Sequence, residues 1–336
     1  MNSPSLLLHF PKIEHHVHLN GTVSETTLLE LIQSNDTVDP GVQLPVGRSL
    51  SECFSVFDAI HKITLTAETI VRIAKEAVES AALHNVIHLE LRTTAHSRPS
   101  MSCYDYLSAV ISGINSSHSK PPSIVLILCL DRAKPIPDIS EWFELIALIN
   151  SEHDNIIRGI DLAGNPTKGD ITSFLPFFQK AKSLGLFTTM HFGEVSNQKD
   201  KEVALEFCPD RFGHAVLEGE AAVKAGVPVE VCFSSNIITK SSTPQTHPVH
   251  LFLEQGHLFS ICTDDPGVFK IDYSMEYERV FESLGISLDE FGSIVRRGIE
   301  FSFVTSEEKS RLFEIFDKKL LEFMQLQELD SNNTKC

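Results

Sequence analysis

The segment PKIEHHVHLNG, residues 11 to 21, places His15, His16 and His18 within four positions, with Glu14 before them and Asn20-Gly21 after. Imidazole nitrogens bind metals and carry protons. If the segment is a β-strand, alternate side chains share a face, so His16 and His18 are expected on one face and His15 on the other. Two imidazoles on one face near a strand end supply half of a metal site, although a histidine-rich run also reads as a polar strand end. Candidates for the other half lie far along the chain, at His191 and Asp264. Zinc held by nitrogen from His16, His18 and His191 and oxygen from Asp264, with a position left open for water, has the makings of a hydrolytic centre. Taken singly, His191 reads as a core histidine and TDDP (263 to 266) as a turn or helix cap before Pro266.

Such residues need elements that bring them together. Short apolar runs predict strands at about 12–18, 86–92, 124–130, 156–161, 187–191, 211–215, 228–232 and 258–263. Between them, segments such as AETIVRIAKEAVESAALHN and ITSFLPFFQKAKSLG have helical spacing of apolar residues and end at Gly, Asn or His. Strands alternating with helices mean a parallel sheet, and eight such units match a closed (β/α)8 barrel of the TIM type better than an open sheet. Extra helices in the long gap from 19 to 85 are expected as a lid over the barrel mouth. With no linker or composition break, residues 1–336 are expected to form a single domain that closes in a terminal helix and a polar tail from about 325 to 336.

Barrel active sites lie at the C-terminal strand ends. Those ends carry His16 and His18, Arg92 with Thr93, Asp131, Asp161, His191, His214, Ser234 to Asn236, and Asp264 with Asp265. Four histidines and several aspartates there are more than solvation needs. Bulk composition narrows the rest. The 336 residues are 42% hydrophobic and carry a net charge of -17, which disfavours nucleic acid and acidic membrane surfaces as partners, so an anionic substrate needs a local grip working against the field. The seven scattered cysteines have no metal-ligand spacing and read as reduced thiols. SLLLHF is too short for a signal-peptide core, and a cytoplasmic monomer is expected.

Here a family resemblance enters. PKIEHHVHLNG resembles the P-K-x-E-L-H-x-H-L-x-G signature of the adenosine/AMP deaminases, and GIDLAGNP (159 to 166), TMHFGE (189 to 194), RFGHAV (211 to 216) and ICTDDPGVF (261 to 269) follow in the family's order. The resemblance implies a (β/α)8 barrel with one catalytic Zn2+ per chain, a purine attacked at C6, and His16, His18, His191 and Asp264 as ligands. It further implies Glu194 as general acid, His214 beside the attacking oxygen, Asp265 at purine N7 and the backbone N–H of Gly164 at N3. His15 stands where the family usually has Leu, and a hydrogen-bonded packing role is expected of it.

The substrate is narrowed by Asn20. Nucleoside-type members usually carry Asp there, suited to a ribose 5′-hydroxyl. A carboxylate beside a 5′-phosphate would instead be repelled by roughly 3 kcal/mol per unit charge at ~5 Å and an effective dielectric of ~20, whereas an amide can donate to it. Asn20, His61, the run Thr93, Thr94, Ala95, His96, and Asp131 resemble the branch that acts on N6-methyl-AMP and related nucleotides, and are expected, with His18, to line its pocket. That branch more often has Pro-Arg at Ala95-His96, which removes a fixed cation; His96 could replace part of it when protonated. The expected reaction is N6-alkyl-AMP to IMP plus alkylamine. Deamination of adenosine to inosine is the alternative, and a non-catalytic binding relative the remote one.

Overall fold

The computed structural model describes residues 6–33, 50–95, 97, 101–117 and 122–333. Every expected strand forms: β1 (Lys12–His18), β2 (Val86–Thr93), β3 (Ser123–Asp131), β4 (Ile157–Ala163), β5 (Phe187–Phe192), β6 (Arg211–His214), β7 (Val229–Val231) and β8 (Phe259–Ile261). All seven neighbouring pairs are parallel and follow chain order. The seam between the first and last strands is closed by the His18 N–H donating to the Asp264 carbonyl at 2.9 Å and the Asp264 N–H donating to that of His16 at 2.8 Å. The result is the (β/α)8 barrel.

Burial on both faces explains why β3 is a nearly continuous apolar run. On β2, Ile87, Leu89 and Leu91 alternate with His88, Glu90 and Arg92, and all six are buried. Arg92 reaches across the barrel to Asp161 on β4 at 3.1 Å and to Glu230 on β7 at 2.8 Å, so the polar set faces the interior. There it meets Arg211, whose guanidinium bonds Glu230 at 2.8 Å and also Glu90. Burial alone would raise these carboxyls; Arg211 beside Glu90, both guanidiniums beside Glu230, and His191 and Arg92 beside Asp161 hold all three below the usual carboxylate range.

The expectation for His15 is overturned. The β1–β2 register slips between Glu14 and Val17, and this bulge breaks the strict alternation. His15 therefore also turns into the polar interior, its Nε2 2.7 Å from Ser302 Oγ and 3.8 Å from Glu90. Its part is nonetheless the expected packing one.

In the gap after β1, helices α1 (Glu25–Gln33) and α2 (Leu50–Ile63) form, followed by α3 (Ala67–Leu83). The terminal helix Ser306–Asn333 runs through most of the expected polar tail, whose Leu, Glu and Gln favour helix. No helix among the described residues is long and apolar enough to cross a membrane.

Arg92→Met would strand two buried carboxylates, and urea unfolding is expected to show a loss of ~3–5 kcal/mol. Arg296→Met, which breaks an exposed pair with Asp317, should stay within about 1 kcal/mol.

Candidate metal and substrate site

At the C-terminal mouth the ends of β1 and β5 and the turn after β8 bring His16, His18, His191 and Asp264 together, one ligand atom from each lying within 4.8 Å of the others. The Nε2 atoms of His18 and His191 are 3.2 Å apart, and Asp264 Oδ1 is 3.4 Å from His16 Nε2 and 3.5 Å from His18 Nε2. Ligands about 2.0–2.1 Å from a tetrahedral zinc sit about 3.3 Å from one another. The residues fit the ion that the sequence implied. His16 Nε2 is buried without a hydrogen-bond partner, as a nitrogen meant for a metal would be.

Outer partners aim these rings. Glu230 lies 2.6 Å from His16 Nδ1, Asp161 lies 3.1 Å from His191 Nδ1, and Ser235 Oγ donates to Asp264 Oδ2 at 2.7 Å. A carboxylate on Nδ1 holds a proton there and turns the Nε2 lone pair to the centre. Burial opposes protonation of His191, but Asp161 outweighs it and pushes the ring up to about 9, so a cation must displace a proton to bind. Both His214 and Asp264 hold φ of 62°, a region that non-glycine residues adopt reluctantly.

Beside this cluster is a cavity of about 350 Å³, a size suited to a small-molecule ligand. His18, Asn20, His61, Thr94, Asp131 and Gly164 line it, as do His191, Glu194, His214, Asp264 and Asp265. His16 lies beneath, fully buried. Gly164 has φ of +91°, and a Cβ there would come within 2.1 Å of Asp131 Oδ1, so only glycine presents its backbone at that wall. Burial raises the Glu194 carboxyl, whose Oε1 is 3.8 Å from His214 Nε2. Burial and the neighbouring Asp264 push Asp265 up as well. Asn20 Oδ1, His214 Nε2 and Asp265 Oδ1 are, like His16 Nε2, buried and unpartnered.

Two expected pocket residues are not brought to the cavity. Thr93 is buried with its hydroxyl 2.6 Å from the Tyr106 hydroxyl, and Ala95 packs against the hydrophobic core. His96 lies outside the described residues. A second buried set, His15, His88 and Glu90, has metal-ligand types, but Glu90 is already engaged by Arg211 and the Phe303 N–H. Sequence reasoning gave no role to Glu230 or Asp161; a carboxylate inside the short apolar run PVEVC was the signal for the former. It also passed over Lys134 and Lys168, which line the cavity.

The comparisons with known proteins agree with this geometry. The adenosine deaminase family model matches residues 11–319. The N6-mAMP deaminase of Arabidopsis thaliana is 37% identical, covering 91% of this chain and 96% of that one, and the N6-methyl-AMP deaminase of Homo sapiens is 30% identical, covering 90% and 91%. The crystal structure of the Arabidopsis N6-mAMP deaminase superposes with a TM-score of 0.86 at 37% identity, over 93% of this chain and 99% of that one. An Arabidopsis relative complexed with IMP gives 0.86 at 36% identity, over 94% and 99%. A match across nearly the whole barrel, with the His and Asp cluster at its mouth, leaves one conclusion: the chain belongs to the adenosine deaminase family and is a hydrolytic deaminase.

Proposed function

We propose that this protein replaces the alkylamino group at C6 of a purine nucleoside monophosphate with the oxygen of water, with N6-methyl-AMP as substrate and IMP and methylamine as products. The observation that carries the reading is the convergence of four metal-ligand atoms with a buried carboxyl, Glu194, on one nucleotide-sized cavity. The names of the relatives, and the IMP found with one of them, support the choice of substrate.

His16, His18, His191 and Asp264 would hold a zinc ion, whose chemistry when bound is to lower the pKa of water to about 7. The chain's own groups do the rest. Glu194 delivers a proton to purine N1 as C6 is attacked, so that the ring never carries full negative charge, and its carboxylate then passes the proton of the added hydroxyl to the leaving methylamine as the C6–N6 bond breaks. His214 faces the attacking oxygen. Asp265 meets N7 and the Gly164 N–H meets N3, which fixes the ring so that C6 faces the metal cluster.

The grip on the phosphate falls to Asn20 and to two exposed cations, Lys134 and Lys168, on a wall otherwise rich in carboxylates. They answer the need, posed by a net charge of -17, for local positive charge, and offset the missing arginine at His96. A second reading, adenosine as substrate, has one observation in its favour: the unpartnered Asn20 Oδ1 could accept a 5′-hydroxyl.

Metal analysis checks the ligand set: alanine at His16, His18, His191 or Asp264 should strip zinc and activity together, while His15→Ala keeps both. Glu194→Gln should retain zinc and substrate binding yet lose at least ~10²-fold in kcat, and a near-normal kcat would remove Glu194 from the reaction. For the substrate, Asn20→Asp should cost on the order of a hundredfold in kcat/KM for N6-methyl-AMP while sparing adenosine. Lys134→Ala with Lys168→Ala should also weaken the monophosphate selectively. A wild type that prefers adenosine would hand the assignment to the second reading.

A further inference from the structure

Beyond β7 the chain enters a short helix, Phe233–Ile238, and then a loop that returns at His247. Asn236 and His247 are 2% and 1% exposed, and neither belongs to the ligand set or lines the cavity wall. They are joined to His214 by three hydrogen bonds in series. The Val249 N–H donates to His247 Nδ1 at 3.1 Å, His247 Nε2 lies 3.1 Å from Asn236 Oδ1, and Asn236 Nδ2 lies 3.2 Å from His214 Nδ1. The Phe233 ring, 4.9 Å from that of His247, packs the middle of the series.

The direction of each bond follows from the first. A backbone N–H can only donate, so His247 Nδ1 carries no proton. Burial pushes His247 down to about 3, so the ring is neutral and its single proton sits on Nε2. That proton is donated to Asn236 Oδ1, which fixes which way the amide points. The Asn236 NH2 must then face His214 Nδ1. A nitrogen facing a donor has to accept, so neither the imidazolium nor the Nδ1–H form of His214 fits.

We propose that Asn236 and His247 are positioning residues that lock His214 in its Nε2–H tautomer, so that it meets the reacting centre as a hydrogen-bond donor and cannot accept a proton there. The inference rests on the deaminase reading for what His214 faces, though the tautomer itself does not. A fixed donor aimed at an oxygen on which charge develops stabilises it without reorganising. Proton transfer is thereby left to Glu194, 3.8 Å away.

The ring nitrogens of His214 are read directly by long-range 1H–15N correlation on the zinc-loaded protein, the signals being assigned by their loss in His214→Gln. The expected spectrum has an unprotonated Nδ1 and a protonated Nε2, and a protonated Nδ1 in the wild type would overturn the proposal whatever the activity. Asn236→Asp keeps the shape but can only accept, so it should protonate Nδ1 and lower kcat on the order of a hundredfold with KM within about threefold and zinc retained. A kcat within about threefold of wild type would also overturn it. His247→Gln, which can still donate to the Asn236 oxygen, should hold kcat above that of His247→Leu; equal losses, with both variants folded by circular dichroism, would count against the relay. Absence of turnover in the wild type with N6-methyl-AMP, AMP and adenosine would sink the deaminase reading and leave the tautomer result standing.

Discussion

The mouth of the barrel is tied to its interior through Glu230. One oxygen accepts from Arg92 and lies against His16 Nδ1, and the other accepts from Arg211 and from Thr189 Oγ1 at 3.0 Å. A lone buried carboxylate would cost several kcal/mol, and its neighbours repay that only because nearly every lone pair is used. The interior of this barrel is thus an ionic lattice, not the layered aliphatic packing that most such barrels contain. Its top layer is the set of candidate metal ligands. The position of a ligand ring is set by a guanidinium two bonds away, and the guanidinium is set by the far wall.

The charges of that lattice do not cancel. Arg92 and Arg211 face Glu90, Glu230 and Asp161, leaving a surplus of negative charge directly beneath the histidines. A divalent cation held above that surplus would, with Asp264, complete the balance, which gives a physical reason for an interior that would otherwise be an expensive way to fill a barrel.

How much of this could be read from the chain varied with the kind of signal. Strand positions were legible because parallel strands buried on both faces are apolar runs bounded by breakers, and these fixed the barrel. The convergence of His16, His18, His191 and Asp264 was legible because they stand at strand ends, where position in the fold and chemistry coincide. His15 was not: alternation assumes a regular pleat, and the slip between Glu14 and Val17 depends on pairing with β2, where Glu14 lies opposite Leu89 and Val17 opposite Leu91. Thr93 was misplaced for a related reason, since nothing local says that its hydroxyl turns to Tyr106. The partners of the ligands were hidden because a second sphere is defined by distances alone. Asn236 and His247 show this best. They are 11 residues apart, unremarkable in composition, and meaningful only once a loop brings them end to end.

The hydrogen bonds that close the barrel join His16 and His18 to Asp264, and those three residues are also candidate ligands. The seam of the fold therefore runs through the site. During synthesis the first strand must wait for nearly 250 further residues before its second partner exists, and contacts of such long sequence separation form late because loop closure is slow. No partly made chain can hold the cluster. An ion bound there would act as a clasp on this long-range contact and resist the separation of β1 from β8. Holding the ion and keeping the barrel closed would then be one requirement.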